Sequence, residues 1–264
     1  MKKLIYLLSC LAILFTAISC QRVIEVEIGN SDQQIVIEAN LTDVKGVQTI
    51  KISNSVPYNN TNVFPPVTGG TVTVTNSAGI VYKFTETQPG TYTINNLKGA
   101  YTDVYTCRVK VNNQTYEAVS GMPVVVPLDS LGIIGQVFGT RTIKTVTVSY
   151  YDPPGMDNQY RYIMYVNGVQ VKRIFTDDDR LSNGRSVTSS LYQRDIDLKT
   201  GDKVDIEMQC IDAYVYNYWF SLSSQGGNSP ANSSTPSNPP SNFSNNALGY
   251  FSAHTVQRKS IIVP

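Results

Sequence analysis

From residue 34 onward apolar and polar residues alternate in short runs, and each run is cut by turn-forming residues before the next begins. A side-chain period of two turns one face of a run to a core and the other to solvent, the pattern of half-buried strands. Ile35-Val36-Ile37-Glu38-Ala39-Asn40-Leu41 is the clearest run, and Thr42-Asp43 and Lys45-Gly46 supply turn chemistry before a returning run over residues 47–53. Further runs at 71–75, 80–84, 91–94, 104–111 and 114–119 are separated by Ser77-Ala78-Gly79, Gln88-Pro89-Gly90 and Asn112-Asn113, and residues 58–70 form a polar, proline-bearing loop. About seven short strands within roughly a hundred residues predict an immunoglobulin-like β-sandwich over residues 34–122, where no helical period competes.

Met122-Pro123-Val124-Val125-Val126-Pro127 interrupts the pattern with two prolines, which lack the backbone donor a ladder needs, so a domain boundary is placed after residue 122. Beyond it, residues 123–264 are expected to form a second, separately folding β-rich domain. Strands are predicted at 131–138 and 143–151, with a turn at Asp152-Pro153-Pro154-Gly155. A hairpin of 160–166 with 169–175 is expected about Asn167-Gly168, the strongest short hairpin signal available. Asp177-Asp178-Asp179 opens a polar loop to Arg185, and strands at 191–198 and 203–211 flank Thr200-Gly201-Asp202.

The period then changes. Val215, Tyr218, Trp219 and Leu222 stand at i, i+3, i+4 and i+7, and Asp212 is a suitable N-cap. A short amphipathic helix is therefore predicted over residues 212–223, laying Trp219 against the second sheet. Residues 226–246 are nearly all Gly, Asn, Ser and Pro, too polar to offset their ordering entropy by burial, and read as a long surface loop. Strands at 247–253 and 255–263 return to close the second domain. The expected fold class is thus all-β, an N-terminal immunoglobulin-like β-sandwich plus a second β-rich domain carrying one short amphipathic helix.

The first residues decide where such a chain resides. Lys2 and Lys3 precede an apolar run over 4–15, and Ala17-Ile18-Ser19-Cys20 follows. The run is too short to cross roughly 30 Å of hydrocarbon, so it reads as a secretory signal. Cys20 at the cleavage position fits a bacterial lipobox: residues 1–19 are removed, Cys20 is lipidated, and 20–33 form a tether in which 23–28 is a further strand candidate. At about 0.8 kcal/mol per buried methylene, several acyl chains anchor far more firmly than one. Plain secretion and a retained N-terminal anchor are the competing readings.

The 21 basic and 20 acidic residues are nearly balanced, and Lys2 and Lys3 leave with the signal. That balance provides no electrostatic case for nucleic acid. Of four cysteines, Cys10 is removed and Cys20 is lipidated on this reading, leaving Cys107 and Cys210. Each falls in phase with apolar neighbours, so both are expected inside cores, and inside two different ones. Buried free thiols are favoured over a bridge, which an oxidising envelope permits. No pair of cysteines has metal-ligand spacing.

Several stretches together resemble a family of Bacteroidota lipoproteins known as domain of unknown function 4249 (DUF4249). They are the lipid cysteine, the 35–41 strand with Thr42-Asp43, Gly70-Thr71-Val72-Thr73-Val74, Pro89-Gly90-Thr91-Tyr92, Gly201-Asp202 leading to Tyr216-Asn217-Tyr218-Trp219, and above all Pro239-Pro240-Ser241-Asn242-Phe243 followed by Leu248-Gly249-Tyr250-Phe251-Ser252-Ala253. The resemblance implies an outer-membrane lipoprotein, on the cell surface or periplasmic face, acting beside a TonB-dependent transporter. It carries no functional residues with it.

Residue chemistry offers few catalytic leads. His254 is the only histidine and stands at an expected strand end, where a satisfied or solvent-facing role is commoner than that of a base. Asp177-Asp178-Asp179 lacks the alternating ligands and glycine of a calcium loop and reads as a solvated acidic loop. No metal and no cofactor are expected. Tyrosines are the better lead, 17 in all; Tyr58, Tyr101, Tyr151, Tyr160 and Tyr162 lie at strand ends or loops. A candidate binding surface is assigned to Tyr214, Tyr216, Tyr218 and Tyr250 beside the 226–246 loop, with cross-strand packing as the competing role for tyrosine. The reading is a protein that works by binding, as an accessory subunit of a TonB-dependent nutrient uptake system. A surface adhesin or glycan-binding protein is the alternative, and a surface hydrolase the second alternative.

Overall fold

Alternation is realised directly in the first strand of the computed structural model, which describes residues 33–57, 63–139, 141–193, 196–225 and 237–264. The signal, Cys20, the tether, Tyr58 and residues 226–236 of the polar tract lie outside the described residues. In β1 (Ile35–Thr42) Ile35, Ile37, Ala39 and Leu41 are buried and Glu38 is exposed. There follow β2 (Gly46–Asn54), β3 (Thr71–Asn76), β4 (Val81–Gln88), β5 (Thr91–Leu97), β6 (Val104–Val111) and β7 (Gln114–Gly121). Strands pair in the order β1-β2-β5 on one side and β4-β3-β6-β7 on the other, and β4 passes from one layer to the other. Its first half pairs with β3 and its second half with β5, across a register shift between Glu86 and Gln88. A sheet that folds back on itself encloses Ile50, Ile52, Val72, Val74, Tyr92 and Val109. The Tyr105 hydroxyl, near the start of β6, accepts the Ala100 N–H at 2.8 Å, the tyrosine-corner bond typical of immunoglobulin-like sandwiches.

The second half repeats this order. It comprises β8 (Leu128–Phe138), β9 (Arg141–Tyr151), β10 (Gln159–Val166), β11 (Val169–Gln170), β12 (Phe175–Asp178), β13 (Ser186–Leu191), β14 (Lys203–Ile211), helix α1 (Ala213–Gln225) and β15 (Leu248–Ile262). Strands β8-β9-β13 form one layer; β10-β14-β15, with β11 and β12 on the outer edge of β10, form the other. Val146, Val148 and Leu191 face Tyr162, Met164, Ile206 and Met208 across a second core. The region expected only to be β-rich is therefore a second sandwich with the strand order of the first. Cys107 lies in the first core and Cys210 in the second, both as free thiols, as their phase predicts.

Three local expectations need correction. The strand placed at 191–198 lies at 186–191, because its exposed serines and threonines alternate against β9 while Leu191 closes the core. The hairpin arm placed at 169–175 is broken: Tyr165 pairs with Gln170 and Tyr162 with Phe175, so two β10 residues stand opposite the four residues 171–174. The aspartate loop is not a solvated tract, since Asp177 and Asp178 end β12 and Asp179 is buried, accepting the Asn158 N–H at 2.9 Å.

The largest difference concerns the end of the chain. The strands expected at 247–253 and 255–263 are one strand, β15, and it serves both sandwiches. Leu248 to His254 pair in parallel with Val36 to Thr42 of β1, and Thr255 to Ile262 pair antiparallel with Cys210 to Lys203 of β14. Phe243, Ala247, Phe251 and Ala253 consequently sit in the first core. A boundary after residue 122 separates β7 from β8, but residues assigned to the second domain complete the first. Part of the polar tract is also fixed: Phe243 is buried and bridges Ala118, while Asn242 accepts from and donates to the Phe251 backbone at 2.9 and 2.8 Å.

Candidate functional site

Sharing β15 creates a continuous outer face, away from both cores, that runs across β10, β14, β15 and β1. Arg161, Gln209, His254, Ser252, Tyr250, Asn40 and Glu38 occupy successive outward positions on it. Helix α1 lies over this face. Asp212 starts the helix as its sequence position predicts, Oδ1 accepting the Val215 N–H at 3.0 Å. It also accepts a hydrogen bond from Ser120 of β7, whose Oγ in turn accepts the Ala253 N–H at 2.9 Å. The helix start is thereby fixed to both the first sandwich and the shared strand.

On the sheet side of α1, Tyr218, Trp219 and Tyr250 form a cluster of three rings. Centroids are 5.2 Å apart for Tyr218 and Trp219, 4.9 Å for Tyr218 and Tyr250, and 5.1 Å for Trp219 and Tyr250. Trp219 Nε1 is buried with no hydrogen-bond partner among the described residues. The Arg161 guanidinium lies over the indole face, Cζ at 3.5 Å from the ring centroid, a close cation–π contact. Its Nη1 donates to Gln209 Oε1 at 3.3 Å, and Gln209 donates to Glu207, whose other oxygen is held by Arg258 at 2.7 Å. Burial lowers the Arg161 pKa, against the opposing pull of Tyr250 and Glu207.

His254 is sealed beneath this layer, 2% exposed, with Nδ1 at 2.9 Å from the Ser252 hydroxyl. Burial depresses its pKa to about 4, so the imidazole is neutral at pH 7. It is a satisfied interior histidine with no access to a substrate. The three carboxylates of the aspartate run are likewise taken by the chain's own donors. Asp177 accepts from Ser189, Asp178 from Arg180 and from the Tyr216 hydroxyl at 2.8 Å, and Asp179 from the Asn158 backbone.

The four tyrosines assigned to a binding surface are only partly brought together. Tyr218 and Tyr250 meet, but Tyr250 is 6% exposed, its hydroxyl accepting from Asn40 Nδ2 at 3.3 Å, and it packs rather than presents. Tyr216 stacks on Phe220 at 5.6 Å, and burial together with its bond to Asp178 raises its pKa to about 12. Tyr214 stands free at 71% exposure and Phe220 at 48%. Tyr160 and Tyr162 are core residues, whereas Tyr101 and Tyr151 are exposed. Sequence reasoning missed Arg161 and Phe220. Phe220 was recoverable from its position on the helix face opposite Val215 and Leu222; Arg161 had no local signal.

Residues 21–260 match the family described as domain of unknown function DUF4249. No curated protein matches the sequence. Among solved structures, a two-domain fibronectin type-III segment from chicken tenascin aligns at 13% identity over 68% of this chain and 91% of that one, with a TM-score of 0.22. A structure titled as a cytokine receptor complex aligns at 11% identity over 84% and 94%, with a TM-score of 0.27.

Proposed function

The chain belongs to the DUF4249 family, and on that premise we propose that it acts by binding, as a lipid-anchored outer-membrane protein accessory to a TonB-dependent uptake system. The observation that carries the binding part is the solvent side of α1, where Tyr214 and Phe220 stand exposed, Phe220 stacked on the half-buried Tyr216, on a helix fixed at its start by Asp212 and Ser120. Rigid, half-solvated aromatic side chains lose little conformational freedom on association and are favoured anchors of protein interfaces. The membrane part rests on the charged start, the apolar run and Cys20 of the sequence.

The test is affinity purification of the full chain from detergent-solubilised outer membranes. A TonB-dependent transporter should co-purify with the wild-type chain and be depleted about tenfold when Tyr214 and Phe220 are both changed to alanine, the effect of losing two aromatic anchors. Equal recovery of the transporter with the double variant removes α1 as the docking face. Absence of any transporter from the wild-type complex removes the uptake reading.

A further inference from the structure

The broken edge of the second sandwich has a purpose that a regular hairpin would not serve. Between the Tyr162–Phe175 and Tyr165–Gln170 pairs the outer arm carries two residues more than β10; Val171 still donates to the Met164 carbonyl at 2.8 Å, and residues 172–174 bulge away from the ladder. Bulges re-aim side chains and concentrate beside binding sites. Here the bulge places Lys172 and Arg173 at a hollow of about 220 Å³ whose other walls include Arg161, Gln170 and Trp219. Three cations thus converge on one hollow. Among the described residues none of the three is in a salt bridge, while Glu207, the carboxylate whose charge acts on Arg161, is already engaged by Arg258.

We propose that this hollow binds an oxyanion, a carboxylate, phosphate or sulfate group borne by a small organic ligand, between the Arg161 guanidinium and the Lys172 and Arg173 side chains. Arg161 supplies the specificity. It is held against the Trp219 ring, and Gln209 accepts from Nη1, which leaves further N–H groups of the guanidinium to donate to a ligand oxygen. Lys172 and Arg173 are exposed and supply long-range attraction. Stacking of a neutral sugar on Trp219 is disfavoured, because one ring face lies under Arg161 and Tyr218 and Tyr250 are set at 83° and 64° to it nearby. The inference deepens the binding reading by naming the ligand chemistry, and rests on it.

Trp219 is the single tryptophan of the chain, so tryptophan emission, excited selectively over the 17 tyrosines, reports on this hollow. The detergent-solubilised full chain is titrated with glucuronate, inorganic phosphate, inorganic sulfate and, as the neutral control, glucose. A saturable emission change with at least one anion and none with glucose is expected, weakened by added sodium chloride; which anion binds tightest identifies the group. Changing both Lys172 and Arg173 to glutamine, at exposed positions where folding is unaffected, should weaken binding about fivefold or more, and Arg161→Lys about tenfold through loss of the fork. No saturable response to any of the three anions, an equal response to glucose, or unchanged affinity in the double variant overturns the proposal. Transporter co-purification is scored separately: its loss with titrations intact defeats the uptake reading and leaves the oxyanion site, and the converse result does the reverse.

Discussion

His254 and Thr255 are consecutive on β15 yet pair with different sandwiches, His254 opposite Thr42 of β1 and Thr255 opposite Cys210 of β14. The peptide between them is the point at which one sheet becomes the other. Because both faces of β15 are covered there, below by the core into which Phe251 and Ala253 point and above by the α1 layer, residues 249–256 are buried without interruption. A strand covered on both faces does not alternate in burial, even where its polar side chains do alternate in direction.

Gly249 makes the entry to that strand possible. Its φ is +93°, and a Cβ there would lie 2.1 Å from the Ile37 carbonyl oxygen of the neighbouring strand. Gly249→Ala should cost more than about 3 kcal/mol, combining strain with a backbone clash. Gly46→Ala, with nothing within 4 Å of the added carbon, should stay within about 0.5 kcal/mol. Urea unfolding of the two variants checks the contrast; similar midpoints would refute it.

Burial of neutral His254 links stability to pH. Its folded pKa, about 4, lies below the ordinary imidazole value of 6.5, so the unfolded chain binds the proton more readily and stability falls as pH drops from about 6.5 towards 4. The full loss is about 3 kcal/mol. The carboxyls of Asp152 and Asp212, whose pKa values burial raises, act in the opposite sense over the acid range. The informative quantity is therefore wild type minus His254→Gln. That difference should shrink on acidification from pH 7 to pH 4.5, and a constant difference would sink the linkage.

Asp212 joins three elements. Asp212→Ala removes the α1 cap and strands the Ser120 hydroxyl, at an expected cost of about 2 kcal/mol, the upper end for N-caps. Asp212→Asn keeps an acceptor oxygen and should cost less than half as much. Thermal melts followed by far-ultraviolet dichroism test the order, and equal losses would show that charge, not capping, matters.

Trp219 separates packing from hydrogen bonding. It is half-buried, with an indole N–H that makes no bond among the described residues. Trp219→Ala should destabilise by about 2–4 kcal/mol, near the lower end for buried aromatics, and Trp219→Phe by under about 1.5 kcal/mol. A phenylalanine variant as unstable as the alanine variant would mean that the N–H has a partner.

Cys20→Ser should release the chain from the membrane fraction if the cysteine carries the anchor. Among the described residues no helix is long and apolar enough to cross a membrane. Membrane retention of the serine variant would refute the lipobox.

Most of the local structure was legible because it depends on neighbours. The alternation of Ile35 to Leu41 fixed a strand and its inward face; Asn167-Gly168 fixed a turn, realised with φ of 51° and 82°; Asp212 fixed a helix start. What escaped depends on partners far away in the chain. Ser252 and His254 look like a break in an apolar strand until Tyr218 and Trp219, on a helix more than thirty residues earlier, are placed over them. Leu248 meets Val36, and no local period encodes a pairing over that separation. Arg161 reads as the ordinary polar face of β10, since its stacking on Trp219 is decided by where α1 lands. The Lys172–Arg173 bulge escaped for a related reason: two extra residues in an edge arm leave composition and alternation almost unchanged.

A shared last strand also sets the order in which the molecule can be made. The parallel partner of β1 lies more than two hundred residues later, in β15, so the first sandwich carries an open edge until β15 has emerged. Open edges recruit other strands, and pairing across such a separation is slow. A chain clipped before residue 248 leaves β1 and β14 both unpaired on that side and α1 without its floor. Strand β15 thus acts as a latch: until it docks, each sandwich keeps an edge open along it.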